Sequence, residues 1–311
     1  MRFVIAGGTG FIGSPVAEVY AEEGHDVRVL TRSLPEGEAR HDPGTGKPGI
    51  TRVGWRPNGT PGAWAGIIDD ADAVINLAGE SLGDQRWTPQ RKAALRDSRI
   101  LPTRTIVAAI RNATKPPRVL INASAVGYYG PSGAEPKTED APAGGDFVAH
   151  LVEDWEAEAR KAEPAGTRVV LLRSGVVLEK NGGALPRMVR PFRFFVGGPI
   201  GSGRQYLSWI HRLDVFEIIR WIVETPGVAG PINATAPYPV TNREFARALG
   251  RALRRPSLVP VPGFALKAMY GEMAEALLLT GVRVVPAKAQ AHGYHFRYPE
   301  IDIAMRGIFG E

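Results

Sequence analysis

The hydrophobic pattern of the first 180 residues alternates between two periods. Short β-rich apolar runs stand at 2–7 (RFVIAG), 26–32 (DVRVLTR), 73–79 (AVINLAG), 118–124 (RVLINAS) and 168–178 (RVVLLRSGVVL). Between them, 11–23, 88–113 and 145–163 carry helical spacing. The last of these places Phe147, Leu151 and Trp155 at i, i+4 and i+8. Pro102 predicts a break inside the second. Apolar strands alternating with helices predict the α/β class, a doubly wound parallel sheet covered on both faces. The stretch 33–66, rich in Gly, Pro and charge, predicts a surface excursion. After 178 the pattern loosens. Residues 182–205 are dense in glycine, proline and aromatics. A helix at 212–224 should return to the sheet, and helices near 241–254 and 263–278 belong to a smaller mixed region.

Composition narrows this only a little. A chain of 311 residues with 44% hydrophobic side chains can bury one large domain or two intimate ones. With no cysteine there is neither a disulfide nor thiol chemistry, which fits a reducing compartment. The net charge of +6 favours an anionic ligand. The densest basic runs, RMVRPFR (187–193) and RALRR (251–255), read as solvated helix faces. No run approaches the ~20 apolar residues of a membrane span. The expectation is a soluble, cytoplasmic protein with a small-molecule substrate, no nucleic acid and no membrane partner. No metal-ligand cluster and no Gly-x-Ser-x-Gly elbow is present.

Chemistry enters first at GGTGFIG (7–13). Gly7, Gly10 and Gly13 follow a strand and open a helix. Gly7 suits the tight turn, Gly10 the approach of backbone to a pyrophosphate, and Gly13 close helix–strand packing. The helix N-terminus adds a positive dipole. An NAD site normally carries a carboxylate at the end of the second strand, for the ribose 2′-hydroxyl. Here that position holds Thr31 and Arg32, which favours a 2′-phosphate and hence NADP(H). NLAG (76–79) offers small residues at the next strand end.

These residues, with NLAGES, SRILPTRT, GDFVAHLVEDWEAEA, RSGVVL, GGPIGSGRQYLSWIHRLD and GYHFRYPEI, resemble the extended and atypical short-chain dehydrogenase/reductases. Within them the chain is similar to the YfcH-like epimerase family of the NAD-dependent epimerase/dehydratases. The resemblance implies a Rossmann NADP-binding domain over 1–180, rejoined by 206–229. The remainder, 181–205 and 230–311, would form an α+β substrate-binding region. It implies cofactor contacts at Gly7, Thr9, Gly10, Phe11, Ile12, Gly13, Thr31, Arg32, Leu77, Ala78, Gly79, Arg99 and Val176. Read by itself, Arg99 suits a ribose or phosphate contact and a surface ion pair equally. Related enzymes often dimerise through helices matching 88–113 and 145–163, which offers these helices as a homodimer face and leaves the oligomeric state open.

The superfamily's acid–base set is a serine with Tyr-x-x-x-Lys. Ser124 matches the serine, but Phe147 stands in the tyrosine's place and Leu151 in the lysine's. Catalysis has therefore moved or been lost. Tyr128 and Tyr129 are the nearest replacement donors, with cleft-wall packing as the competing reading. Glu80, Asp146 and His150 are further candidates, the last two spaced for a mutual hydrogen bond. Glu80, Arg204 and Trp209 are candidate substrate contacts, although Trp209 and His211 also suit a purely structural tie. Two functions stay open: an NADP(H)-dependent oxidoreductase or epimerase, and a catalytically silent NADP(H) sensor or scaffold linked to cell division.

Overall fold

The computed structural model describes residues 1–42 and 49–310. In chain order the first half forms β1 (Arg2–Ala6), α1 (Gly13–Glu22), β2 (Asp26–Thr31), β3 (Ala39–Asp42), β4 (Ile50–Gly54), β5 (Ala73–Asn76), α2 (Pro89–Asn112), β6 (Val119–Ala125), α3 (Phe147–Arg160) and β7 (Arg168–Ser174). The second half adds β8 (Val176–Glu179), β9 (Gly182–Gly183), α4 (Leu185–Arg193), β10 (Tyr206–Leu207), β11 (Trp209–His211), α5 (Arg212–Glu224), β12 (Gly230–Ala234), β13 (Val240–Thr241), α6 (Asn242–Leu253), α7 (Gly263–Tyr270), α8 (Glu272–Ala274), α9 (Ala287–Ala291) and α10 (Ile301–Phe309).

The main sheet runs β12-β7-β6-β5-β1-β2-β4-β3, parallel except for β3 at the edge. Alternation along β1 assigns its two faces. Phe3 and Ile5 join Val16 and Tyr20 of α1 and Ile218 and Ile222 of α5, while Val4 and Ala6 face Ile106 and Ile110 of α2. β1 pairs with β2 on one side and β5 on the other, so the strand order reverses between β1 and β5. The crevice at such a switch point is where doubly wound sheets hold ligands.

The structure corrects several sequence expectations. Pro102 does not break α2, which runs through it as one 24-residue helix. The proline removes one ladder bond, but Ile100, Ile106 and Ile110 around it are buried, and the Thr103 and Thr105 hydroxyls donate to Arg99 O and Leu101 O. The 33–66 excursion supplies β4, parallel to β2, and the edge strand β3. Edge exposure hid these strands. Trp55 and Trp64, packed edge-to-face at 5.5 Å, carry the burial. Residues 43–48 of the excursion lie outside the described residues. The run 168–178 is two strands. At Gly175 an added Cβ would stand 2.6 Å from Ser208 O, and beyond it β8 leaves the main sheet to pair with β11 and β9. The helix expected over 263–278 is interrupted at Gly271, φ +62°, between α7 and α8.

A third core joins Leu185, Val189 and Phe192 of α4 to Trp209 of β11, Phe245 and Leu249 of α6, and Ile301 and Met305 of α10. Buried Asp214 at the start of α5 accepts from the backbone of Arg297 (2.8 Å) and Tyr298 (3.0 Å), docking the C-terminal segment. No helix among the described residues is long and apolar enough to cross a membrane.

Candidate functional site

The glycine loop is built by close contacts that exclude side chains. Gly7 has φ +76°, and a Cβ there would stand 2.7 Å from the Leu77 carbonyl. A Cβ on Gly13 would meet Gly7 O at 2.3 Å, so α1 lies directly on the turn. An added Cβ on Gly10 would meet Gly7 O at 3.2 Å, a tight approach. The Gly10 N–H donates to Gly7 O (2.9 Å) and its carbonyl accepts from Ser14 N (3.0 Å), so this exposed residue closes the turn against α1 and keeps a side chain off its outer surface. These three geometries match the division of labour expected for the motif. Gly8, which the motif reading passed over, has its own constraint: a Cβ would stand 2.8 Å from Val29. Thr9 is exposed, and Ile12 packs toward the core. The Phe11 ring lies against Gly182 and Gly183, where added Cβ atoms would come within 2.3 and 2.9 Å of it. The hairpin of β8 and β9, which Val176 opens, thus covers one wall of the loop.

At the end of β2, Thr31 Oγ1 sits 2.8 Å from Ser33 Oγ and accepts from Ser33 N at 3.2 Å. Arg32 between them is exposed. Arg56, at the end of the neighbouring β4, donates to the carbonyls of Arg32 and Leu34 at 3.2 Å. The turn therefore gathers two hydroxyls and two guanidinium groups. Ser33 and Arg56 were not expected. Ser33 was legible as the next residue of the turn, whereas Arg56 needs the β2–β4 pairing to be found.

Beyond β5, Leu77 and Ala78 line the crevice opposite Gly7, and Asn76 turns its amide into a buried network. It donates to Asn122 Oδ1 (2.7 Å) and Thr103 Oγ1 (2.9 Å), the latter also accepting from Trp155 Nε1 (2.8 Å). Arg99 is buried beneath Gly79. Its guanidinium donates to Leu95 O (2.9 Å), Ser98 Oγ (3.3 Å) and Glu80 O (2.7 Å), with no ion pair among the described residues. Burial pulls it down to about 10, with Glu80 opposing and Arg91 adding to the effect. Of the two readings left open, the surface ion pair is excluded: Arg99 holds the NLAGE backbone from below. Glu80 itself is exposed and paired with Arg91.

The serine end is different in kind. Ser124 Oγ donates to Glu156 Oε1 at 2.5 Å. Glu156, on the apolar face of α3, takes two bonds of 2.8 Å from Arg173. Arg173 also donates to Tyr129 Oη (2.9 Å), which donates to Asn233 Oδ1 (2.7 Å). Glu139 completes the set, its carbonyl accepting from Arg173 (3.3 Å) and its carboxylate from the backbone of Asn233 and Lys288. Ser124, Tyr129, Glu139, Glu156, Arg173 and Asn233 are all buried. Burial works to lower the Arg173 guanidinium, but the Glu156 carboxylate overrides it and holds the group above its usual value. Burial pushes Tyr129 up to about 12 against the pull of Arg173. Burial also raises Glu139, against its backbone hydrogen bonds.

Tyr128 lies on the other side of this pair. The Arg173 guanidinium sits 3.5 Å from its ring centroid. Its ring is half-buried, and its hydroxyl has no hydrogen-bond partner among the described residues. Ser124, Tyr128 and Tyr129 thus converge on Arg173 and Glu156. Sequence reading missed both, although Arg173 followed four apolar residues of β7 and Glu156 stood next to Trp155 on the buried face of α3.

Where the superfamily keeps tyrosine and lysine, the structure is apolar. Phe147 packs edge-to-face on Trp87 at 5.2 Å, within a cluster that includes Tyr128, Val148, Tyr270 and Met273. Lys92 stands 4.7 Å from the Phe147 centroid and pairs with Glu272 at 2.7 Å. Leu151 is buried. The expected Asp146–His150 side-chain bond is absent. Asp146 caps α3, accepting from Ala149 N at 2.8 Å, and His150 leans toward Glu153 at 3.8 Å. Arg204 is exposed on the loop before β10. Trp209 is wholly buried in the third core and offers a substrate nothing, and His211 stacks on Tyr298 at 3.8 Å. Burial lowers His211 to about 4, so its ring is neutral and caps α5 by accepting from Leu213 N.

The model of the NAD dependent epimerase/dehydratase family matches residues 3–234, and that of a domain of unknown function (DUF1731) matches 261–308. Epimerase family protein SDR39U1 of Bos taurus is 39% identical over 312 residues, covering 99% of each chain. The chloroplastic SDR39U1 homolog of Arabidopsis thaliana is 41% identical over 310 residues, covering 99% of this chain and 86% of its own. Among solved structures, human epimerase family protein SDR39U1 (isoform 2) with NADPH superposes with a TM-score of 0.85 at 36% identity, covering 99% of both chains. A Thermus thermophilus UDP-glucose 4-epimerase in complex with NAD shares the fold, with a TM-score of 0.71 at 19% identity over 100% of this chain and 99% of its own.

Proposed function

From membership in the NAD dependent epimerase/dehydratase family, to which this chain belongs, we propose an NADP(H)-dependent oxidoreductase or epimerase. It acts on a carbonyl or hydroxyl carbon of a small molecule. The observation that carries the reading is the cradle at the β1–β5 switch point. Gly7 and Gly13 admit no side chain, exposed Gly10 carries none over the turn, and the adjoining Thr31–Arg32–Ser33 turn presents donors without a carboxylate. The human relative solved with NADPH agrees with it.

The N-terminus of α1, beside Gly10, would hold the pyrophosphate, and Arg32 with Ser33 and Arg56 the 2′-phosphate. Leu77, Ala78 and Val176 would flank the ribose and nicotinamide, while Arg99 keeps the NLAG loop in place. Bound there, the cofactor supplies hydride transfer. Proton transfer falls to this chain. Ser124 has committed its proton to Glu156, so toward a substrate its oxygen acts as an acceptor. Tyr129 is spent on Asn233 and Arg173. Tyr128 Oη is the remaining hydroxyl able to give or take a proton. Phe147, Trp87 and Leu82 keep water from that side of the cleft. Exposed Glu80 and Arg204 are the polar groups offered to the substrate.

The apolar Phe147 and Leu151, together with the committed Ser124, favour a second reading: a binder of NADP(H) without turnover. Oxidation of NADPH followed at 340 nm across carbonyl and nucleotide-sugar panels separates the two. Turnover that survives in wild type but not in Tyr128→Phe supports the enzyme, and tight binding with no turnover supports the sensor. Arg32→Ala tests the cofactor. It should weaken NADPH by about 10- to 100-fold, the worth of a charged hydrogen bond, and leave NADH nearly unchanged. Equal losses would remove Arg32 from the 2′-phosphate.

A further inference from the structure

The two densest basic runs of the sequence belong to no part of the nucleotide site, yet the fold brings them together. RMVRPFR forms α4 and RALRR ends α6, and the two helices pack through Val189, Phe192 and Leu249. Residues 185–211 contain four arginines and 245–271 four arginines and a lysine, and neither stretch contains an acidic residue. The loops that leave the two helices lie side by side, Val259 N donating to Gly197 O at 3.1 Å. Their tips are apolar and point to solvent. Phe194 is 69% exposed, Phe195 58% and Leu258 81%, with Val196 and Val259 beside them. Two of the three non-glycine residues with positive φ among the described residues, Phe195 (+62°) and Arg254 (+52°), make these turns. The next helix, α7, buries none of its residues and exposes Phe264 and Met269.

Between the tips and α6 lies an open basin of about 420 Å³, lined by Arg247, Gly250, Arg251, Arg255, Ser257 and Leu258 among others. The Arg255 guanidinium stands 4.5 Å from the Phe195 centroid, joining basin to tip. Arg190, Arg193, Arg247 and Arg255 make no ion pair among the described residues, whereas Arg251 is paired with Asp302.

We propose that this face docks on the surface of an anionic phospholipid bilayer, the Phe194–Val196 and Leu258–Val259 tips entering the headgroup layer and the arginine basin taking a lipid phosphate. Exposed apolar tips side by side, with a cation-lined basin next to them, fit a soft, negatively charged layer better than a protein surface, which rewards matched, closely packed shape. No membrane-spanning helix is needed for such attachment. This departs from the sequence expectation of no membrane partner, which addressed spanning alone.

The test is co-sedimentation of the full chain with phosphatidylcholine vesicles, with and without phosphatidylglycerol, at low and high salt. Wild type should pellet only with the anionic vesicles and be released by salt. Arg247→Glu/Arg255→Glu should weaken binding at least tenfold, since each cation at the surface is worth about fivefold. Phe194→Ser/Phe195→Ser should weaken it comparably. Leu258→Asn, at a side chain too exposed to matter for folding, should do so to a lesser degree. Thermal melts and NADPH titration of each variant should match wild type. The proposal is overturned if wild type pellets with neither vesicle or equally with both, or if the phenylalanine and leucine variants bind as wild type does. It is equally overturned if these residues instead drive self-association, or binding of duplex DNA, without vesicle binding.

Discussion

The glycine loop after β1 and the serine near the end of β6 stand two strands apart at the same end of one sheet, yet they treat polar groups in opposite ways. Around Gly7 and Gly13 side chains are excluded by close backbone contacts, and exposed Gly10 carries none over the crevice. Around Ser124, side chains fill the space and satisfy one another through Glu156, Arg173, Tyr129 and Asn233. The first end is incomplete without a ligand. The second is complete without one, and only Tyr128 reaches out of it.

The comparison breaks most easily at Glu156. If the serine end is a closed ionic network, Glu156→Ala leaves Arg173 buried and unpaired and should cost about 3–5 kcal/mol in denaturant unfolding. A loss under about 1 kcal/mol would mean that water already reaches the pair. At the open end, Gly13→Ala forces a Cβ onto Gly7 O and should cost about 1–3 kcal/mol together with nucleotide affinity. Gly10→Ala brings its Cβ to 3.2 Å from Gly7 O, a milder contact than the 2.3 Å at Gly13, so it should cost less stability than Gly13→Ala while nucleotide binding still falls. Equal stability losses for the two would contradict this ranking.

The paired tyrosines sharpen the contrast further. Tyr129→Phe removes bonds to Arg173 and Asn233 and should cost about 1–2 kcal/mol. Tyr128→Phe should leave stability within about 0.5 kcal/mol and be felt in turnover instead. The reverse pattern would exchange their roles. Alkali separates the tyrosines as well. Because burial raises Tyr129 from 10.0 to about 12, the unfolded chain releases this proton first. Its contribution to stability is complete below pH 10 and is lost as pH rises toward 12. Unfolding curves of Tyr129→Phe and wild type should differ in slope over that window and run parallel below it.

Much of this was legible in the chain. The strand–helix alternation, the glycine spacing and the loss of Tyr-x-x-x-Lys needed no coordinates, because period, steric exclusion and side-chain chemistry are local properties. The strands inside 33–66 were not legible, since edge strands need not be apolar and the buried Trp55 and Trp64 stand outside them. Nor was the uninterrupted α2, where burial on the sheet outweighs one proline. Trp209 looked like a cleft aromatic because exposure cannot be read from residue type.

The sequence by itself determined the cofactor turn, the missing acid–base pair and the presence of two basic runs. Only the tertiary structure decided what those residues face. It paired Ser124 with Glu156, and Arg173 with Tyr129, across separations of 32 and 44 residues. It buried Arg99 without a counter-ion, and it set two distant arginine runs around one apolar knuckle. Such pairings depend on which strand lies beside which and on which helix face turns inward. Those choices are made by packing of the whole chain, and no local pattern contains them.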